Sequence, residues 1–530
     1  MFNPKRPEML LLCILLFAAC VRGLLFTGTW SADSLAYVYH AYLIEQGKFT
    51  LTAYVHTLRF ALLLPVSCCY WLFGANELST ALYPFLCSLS NIVLIYHFGR
   101  FLFADRTAGL VSALLLAVFP LDVFYASQLM PETPLSFLMA GCVYLFLKGE
   151  RIPDRKRAKW YYLASGILTG IAYLTKIFAV FLIFFFLAYI LYQKRVSTAY
   201  LWMAGGFCGI LLPEMVFYYL QTGDPIYQLK LILSTPGSGV EPNPGRMYRS
   251  DLFLYPYYWF ISLPHFGFFY YFIIPAFLYA LWRRWAKSYI PILWAGSLFL
   301  YLQFGREGKY FIHKEARFLS IITVPCLLVL GYVLTQVFAG KSRPVMLWIM
   351  LGLLCCSSLA LTAFQQTLHR GEVTNLRAIA DFLRPLPENI NVYLDNISQG
   401  YVQYFLGYTM PDRIKSFNIH NYRTGDNTYP FDLSQIQRAL VVVNWNMIKT
   451  LQYKGYKTLA YPDIIYHPPG YWRLVQTIKP PDNWVYDNLR VLRELPVLEV
   501  FPGNVSQKLL QTVERVLKSH AEQTLIYRID

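Results

Sequence analysis

Charge is scarce in this 530-residue chain, and acid is scarcer than base: 30 Asp and Glu stand against 46 Lys and Arg, and the four types together make up 14% of the residues. Hydrophobic residues make up 56%. A water-soluble protein of this length could not cover so much apolar surface, so the composition calls for a lipid solvent and a polytopic membrane protein. Cysteine is confined as well: all ten lie between Cys13 and Cys356, and the C-terminal part has none. That part needs no disulfide, and no cysteine pair has zinc-ligand spacing. The chain also lacks a phosphate-cradling loop of Walker type, a Gly-x-Gly-x-x-Gly opening a helix after a strand, and a His-Glu-x-x-His, which weighs against nucleotide hydrolysis and zinc proteolysis. No internal repeat or low-complexity tract stands out.

What is present is a series of apolar stretches that recur from Met9 to Phe364 and then stop. They predict eleven spans at residues 8–26, 79–99, 107–125, 133–148, 160–175, 178–193, 199–219, 267–282, 289–304, 319–339 and 345–364. The division expected is a transmembrane module over 1–364 and a soluble α/β domain over 365–530. The formal net charge of +16 does not point to nucleic acid, because the basic residues cluster in short loops: Lys5/Arg6, Arg100/Arg106, Lys148 to Lys159, Lys194/Arg195, Arg283/Arg284/Lys287 and Lys341/Arg343. Such loops belong on the cytoplasmic side. An apolar run ending Phe17-Ala-Ala-Cys20 resembles a weak lipoprotein signal, but the many later spans favour an uncleaved start helix.

Eleven spans from a cytoplasmic N-terminus put the C-terminal domain outside. His56 to Phe73 is apolar enough to be a twelfth, but counting it would export the basic residues from Lys148 to Lys159. It is therefore expected to lie at or dip into the outer interface. The outer loops are then 26–78, 119–134, a tight turn near Lys176, 221–266 and 305–318. The fourth, with Ser234-Thr-Pro-Gly-Ser-Gly-Val-Glu-Pro-Asn-Pro-Gly245, has the composition of a lid or a connector. Aromatic clusters such as Tyr255-Pro-Tyr-Tyr-Trp-Phe260 read as interfacial anchors.

Acids and bases gather on this one face, and near-membrane charge tends to mark function. Asp33 follows the first span, in Trp30-Ser-Ala-Asp-Ser-Leu-Ala-Tyr37, where it is either a general base or a solvated loop residue. Glu132, in Met130-Pro-Glu-Thr-Pro134, is either its catalytic partner or a residue favouring the start of the next helix. Asp122 reads as a helix-end residue. Lys176, Arg306, Lys309, His313, Lys314 and Arg317 supply cations that suit a phosphate anion, against the plainer readings of a snorkelling lysine and a solvated helix entry. Such a set fits a sugar donor whose leaving group is a lipid phosphate: a base takes the acceptor proton while cations stabilise the departing phosphate.

The order of several segments resembles the polytopic GT-C glycosyltransferases, in particular the protein mannosyltransferase, aminoarabinose transferase and rhizobial lipid A glycosyltransferase group. The resemblance runs from about Ala32 to Ala179. It includes Asp33-x-x-x-Tyr37, a run ending Leu72-Phe-Gly74, Arg100-Phe-Leu-Phe103, Leu114 to Pro120, Pro131-Glu-Thr-Pro-Leu135 and Gly166-Ile-Leu-Thr-Gly-Ile-Ala-Tyr-Leu-Thr-Lys176. Separately, His313-Lys-Glu-Ala-Arg-Phe318 is similar to a segment of mannosyltransferases that use dolichyl-phosphate mannose. The resemblance implies that Asp33 matches a catalytic aspartate, Glu132 a second outer-loop acid, and Lys176 and the Arg317 region contacts to the lipid phosphate. Many members follow the aspartate with glutamate, where this chain has Ser34. The Trp-Trp-Asp signature of oligosaccharyltransferases is missing, as is Asp-x-Asp in the first two outer loops, so no cofactor is expected to be required, although a divalent cation remains compatible.

The fold class expected is thus an α-helical polytopic membrane protein, GT-C-like, with a C-terminal α/β domain. In that domain Val373 to Leu383 and Ser398 to Leu406 read as helices, Asn391 to Asp395 as a strand, and Ala439 to Asn444 as a buried parallel strand. The partners expected are a polyprenyl-phosphate sugar donor, a glycan, lipid or protein acceptor, and membrane lipid, in a multi-pass inner (plasma) membrane setting. Two rivals stay open: a transporter or flippase of a lipid-linked saccharide, and a non-catalytic membrane scaffold.

Overall fold

The computed structural model describes residues 7–234, 254–260, 263–307, 310–311, 314–338, 344–417, 433, 436–453, 461–479 and 522–529. The chain separates into two units: Met1–Thr29 with Ala36–Leu72 and Leu78–Ala363, and Trp30–Leu35 with Phe73–Glu77 and Phe364–Asp530. Two short pieces of the first expected outer loop are thus counted with the C-terminal part of the chain.

The first unit is helical for a simple reason. Inside lipid every backbone N–H and C=O needs a partner within the protein, and a helix supplies them all from its own chain. Its helices are α1 (Pro7–Leu24), α2 (Ala32–Glu45, whose first residues belong to the second unit), α3 (Phe60–Phe73), α4 (Glu77–Phe103), α5 (Arg106–Ala117) and α6 (Pro120–Tyr125). Then follow α7 (Glu132–Arg151), α8 (Arg155–Thr175), α9 (Leu182–Gln193), α10 (Tyr200–Thr222), α11 (Tyr227–Ser234), α12 (Leu254–Phe260) and α13 (Leu263–Phe266). The last are α14 (Phe269–Trp282), α15 (Tyr289–Phe304), α16 (Ser320–Val337) and α17 (Pro344–Leu383). A two-stranded hairpin, β1 (Arg306–Glu307) and β2 (Tyr310–Phe311), lies between α15 and α16.

All eleven apolar segments are helical. Among the described residues five helices are long and apolar enough to cross a membrane: α1, α4, α10, Ala316–Val337 and Val345–Gly371. Phe60–Phe73, Arg106–Ala117, Ile177–Gln193 and Phe269–Trp282 are shorter apolar helices. The segment expected at 107–125 is two helices rather than one, because Pro120 has no N–H to continue α5 and instead opens α6. Helix α3, with Pro65 inside it, rises about 21 Å at 1.5 Å per residue, short of a hydrocarbon core about 30 Å thick. The glycine- and proline-rich residues 235–245 lie outside the described residues.

At the centre is α16, apolar on every side and wholly buried, whereas only 11% of the most apolar stretch of α10 is buried. A helix apolar all round belongs inside a bundle or facing lipid, and α16 takes the first option. Helices α8 and α10 pack through glycines. A Cβ on Gly166 would lie 1.9 Å from the Met203 carbonyl oxygen, one on Gly206 2.3 Å from the Leu163 carbonyl oxygen, and one on Gly170 2.6 Å from the Ile210 Cβ. Close backbone approach through small residues is how helices gain packing contact where lipid removes the hydrophobic drive.

In the second unit, β3 (Asn391–Asp395), β4 (Ile414–Phe417), β5 (Ala439–Asn444), β6 (Trp472–Ile478) and β7 (Thr524–Ile529) form a sheet in the order β4-β3-β5-β7-β6. Strand β3 runs parallel to both β4 and β5, with Val392 opposite Ile414 and Leu440, while β7 is antiparallel to β5 and β6. The unit also contains α18 (Asn396–Phe405), α19 (Trp445–Tyr453) and α20 (Asp463–Tyr466). Alternation sorts the strands into two cores. Val392, Leu394, Leu440, Val442 and Ile526 face the end of α17 and α18, and Tyr393, Val441, Val443 and Ile529 face Ile448 and Ile465. Both faces are covered, which is why β5 is buried at every position.

The α8–α10 contact yields a test. Gly166→Ala forces a methyl group against a backbone carbonyl that cannot rotate away, so it is expected to destabilise the protein by about 1–3 kcal/mol. The check is the unfolding temperature in detergent, beside Gly205→Ala, whose Cβ meets nothing within 4 Å.

Candidate functional site

Among the described residues of the first unit, two groups of buried charged side chains stand out beside Glu214, which is buried and accepts from the Tyr218 hydroxyl at 3.0 Å. In the first, Arg22 on α1 is 2% exposed and every arm of its guanidinium donates. Nε donates to Ser88 Oγ at 2.7 Å, Nη1 to the carbonyls of Ala18 at 3.1 Å and Ala117 at 3.0 Å, and Nη2 to Asp122 Oδ2 at 2.6 Å. Ser88 donates to the same carboxylate oxygen. Asp122, expected as a helix-end residue, does lie in the first turn of α6, but its ion pair with Arg22 is the feature that accounts for its burial.

In the second group, Lys176 stands where α8 ends and the backbone turns extended (φ −164°, ψ 134°). Its ammonium donates to Glu132 Oε1 at 3.0 Å and lies 4.3 Å and 4.7 Å from the ring centres of Phe318 and Phe178, where the ring faces attract a cation. Glu132 sits in the first turn of α7, an end that favours negative charge. It is 1% exposed, and its Oε2 has no hydrogen-bond partner. Arg317 Nε is 3.9 Å from the same Oε1 and is also paired with Glu315. Burial pushes the Lys176 ammonium down to about 8, with Arg59 and Arg317 adding to the shift and Glu132 opposing it. A cavity of about 10 Å³, room for about one water molecule, is lined by Leu121, Asp122, Glu132, Thr133, Ser136, Ser320 and Thr323.

The structure thus brings Glu132, Lys176 and Arg317 together. Lys314 is buried with its ammonium 5.6 Å from the Tyr255 ring centre. Arg306 lies in β1, and Lys309 and His313 lie outside the described residues. Asp33 is in the second unit, at the second position of α2, half-buried. The helix is capped there by Ser31, whose Oγ accepts from the Ser34 N–H at 3.1 Å and whose carbonyl accepts from the Leu35 N–H at 3.0 Å. Among the described residues, no group of three or more His, Cys, Asp or Glu side chains is placed to hold a metal ion.

Arg22 and Arg59 are not among the residues singled out from sequence. The signal was there: each is a lone arginine in an apolar run, and an ionisable group in such a run needs a partner. Arg59, which lies 5.0 Å over the Tyr37 ring, adds a third cation whose field reaches Lys176.

Residues 56–218 match the family model described as dolichyl-phosphate-mannose-protein mannosyltransferase, a stretch that holds Arg59, Glu132 and Lys176 but neither Asp33 nor Arg317. Among solved structures the chain is similar to ArnT from Cupriavidus metallidurans in the apo state, at 14% identity and a TM-score of 0.56 over 90% of this chain and 96% of that one. It is also similar to the Archaeoglobus fulgidus oligosaccharyltransferase tethered to an acceptor peptide, at 12% identity and a TM-score of 0.58 over 99% and 89%. The chain has the GT-C glycosyltransferase fold. No curated protein matches in sequence. In this GT-C fold the mannosyltransferase-like stretch contributes the Glu132–Lys176 pair, and α16 with its preceding turn contributes Arg317.

The buried pair generates a prediction. Lys176→Met leaves a buried carboxylate without its nearest cation, and stability is expected to fall by about 3 kcal/mol. Glu132→Gln in the same chain is expected to restore most of it. Thermal unfolding of the two single variants and the double variant measures this coupling.

Proposed function

We propose that this protein is a membrane glycosyltransferase that moves a sugar from a polyprenyl-phosphate carrier to a hydroxyl acceptor on the extracytoplasmic side. The observation that carries the reading is the buried Lys176–Glu132 pair, with Arg317 3.9 Å from the same carboxylate oxygen and the charge of Arg59 acting on the Lys176 ammonium, within a GT-C fold. Three cations, Lys176, Arg317 and Arg59, stand against two acids, Glu132 and Glu315, which leaves one positive charge for a phosphate to neutralise. Related folds support the ligand class: ArnT from Cupriavidus metallidurans has been solved bound to undecaprenyl phosphate, and the Archaeoglobus fulgidus oligosaccharyltransferase with an inhibitory peptide and a dolichol-phosphate.

In this reading Asp33 takes the proton of the acceptor hydroxyl as its oxygen attacks the anomeric carbon. The bond from that carbon to the phosphate oxygen breaks with inversion, and the electron pair leaves on the lipid phosphate. Lys176 and Arg317 stabilise that charge, Lys176 as a point charge and Arg317 through its fork of donors. Lys314, Arg306, Lys309 and His313 complete the donor-phosphate set by resemblance. Glu132 holds the two cations in place and balances them before the donor arrives. We read the reaction as needing no resident metal, with a divalent cation as the alternative that chelation by EDTA tests.

The experiment is release of polyprenyl phosphate from a panel of lipid phosphates carrying single radiolabelled sugars, with the protein in nanodiscs and membrane extract as acceptor source. Wild type is expected to release the carrier from one member of the panel, and Asp33→Asn to lower the rate by about 100-fold or more. Binding of every member without release would overturn the enzyme reading in favour of a transporter or scaffold.

A pH dependence follows from Lys176. Its ammonium is charged below about 8, so affinity for undecaprenyl phosphate is expected to be full below that pH and to weaken above it. Lys176→Met should bind more weakly and lose that dependence. Equilibrium binding to nanodiscs between pH 6.5 and 9.5 is the check.

A further inference from the structure

The segment Trp30–Leu35 belongs to the C-terminal unit, and its attachments there are specific. Tyr401 on α18, itself buried in the core, donates its hydroxyl to the Trp30 carbonyl at 2.7 Å. The Trp30 ring lies 3.9 Å, centre to centre, from the ring of His369 on α17. Trp30 and Leu35 pack on the core formed by α17, α18 and the sheet. At Gly400 an added Cβ would lie 3.0 Å from Leu35 Cδ2, so a larger residue there would have to push the Leu35 side chain aside. The other inserted piece is held as firmly: Arg377 makes a two-armed contact with Glu77, at 3.1 Å and 2.7 Å.

The anchor is itself anchored. Asp395, fully buried, caps α18 by accepting from the Ile397 and Ser398 N–H groups and also accepts the Tyr461 hydroxyl. Asn444 at the end of β5 donates to Ser398 Oγ, and Thr524 at the start of β7 donates to Asn444 Oδ1. A chain of buried hydrogen bonds therefore runs from the sheet through α18 to the backbone three residues before Asp33.

We infer that the C-terminal unit is the positioning element for Asp33, acting through Tyr401, Gly400 and His369. The inference rests on the reading of Asp33 as the general base. A general base must be held in place, since a displacement of about 1 Å at a reacting group costs on the order of 100-fold in rate. Tyr401 and Gly400 are positioning residues, since they touch the segment and not the reacting atoms.

The test has an arm without turnover and an arm with it. Tyr401→Phe keeps the ring in the core and removes only the donor. Hydrogen exchange at the amides of Ser31 to Leu35 is expected to speed up roughly three- to tenfold, while later turns of α2 and the amides of β5 stay as in wild type. Unchanged exchange would overturn the clamp. With the lipid phosphate sugar that wild type turns over, kcat is expected to fall about 10- to 100-fold with KM within twofold. Faster exchange with unchanged kcat would overturn the positioning role. Gly400→Val is expected to lower kcat in the same way, and Leu35→Ala in the same chain to restore it by making room, a recovery that general destabilisation would not give. Failure of recovery would count against the clamp. Asp33→Asn separates the two ideas: if it keeps full turnover the base reading falls, whereas loss in Asp33→Asn without loss in Tyr401→Phe removes the clamp alone.

Discussion

A guanidinium taken out of water must be repaid with hydrogen bonds, and the Arg22–Asp122 pair is where the first unit meets that demand. The donors of Arg22 reach four acceptors on α1, α4, α5 and α6, so one residue fixes the mutual position of four chain elements. Breaking such a pair from one side leaves an uncompensated buried charge, at a cost of about 3–5 kcal/mol. Apolar packing alone is adaptable, because lipid tails and leucines are equivalent neighbours. A buried ion pair with directional donors is not, and it gives the start of α6 a single place to be.

The same constraint works differently around Lys176. There three cations, Lys176, Arg317 and Arg59, meet two carboxylates, Glu132 and Glu315, and Glu132 keeps one oxygen without a hydrogen-bond partner. A structural ion pair tends toward full satisfaction, and every arm of the Arg22 guanidinium donates. A binding group keeps capacity in hand, and the Lys176 group has that character: excess positive charge, aromatic faces and a carboxylate only partly engaged. Two buried groups that begin only ten residues apart, at Asp122 and Glu132, thus show opposite electrostatic designs.

Much of the fold was legible. Each apolar segment is helical because lipid leaves the backbone no alternative, and β3 and β5 were readable as short apolar runs because both faces of the sheet are covered. The break at Pro120 hid inside a continuous apolar run, since hydropathy does not register a missing N–H. Strand β7 went unread because its pattern, Thr-Leu-Ile-Tyr-Arg-Ile, alternates too weakly to stand out at that distance from its partners β5 and β6. For the candidate site, the acids and cations were singled out by their expected position on one face, but Arg22 and Arg59 were passed over inside hydrophobic stretches, where a lone charge carries more information than a charge in a loop. The capture of Trp30–Leu35 and Phe73–Glu77 by the C-terminal unit is a tertiary event, and no local pattern encodes it.

The sheet has a further consequence for biosynthesis. Its strand β7 comes from Thr524–Ile529 and lies between β5 and β6, so the sheet stays incomplete until those residues have left the ribosome. Trp30 precedes Tyr401, its partner, by 371 residues, and waits through that stretch of translation for the surface that receives it. A chain stopped before α18 would make its first helices without Tyr401, the donor that holds the Trp30 carbonyl.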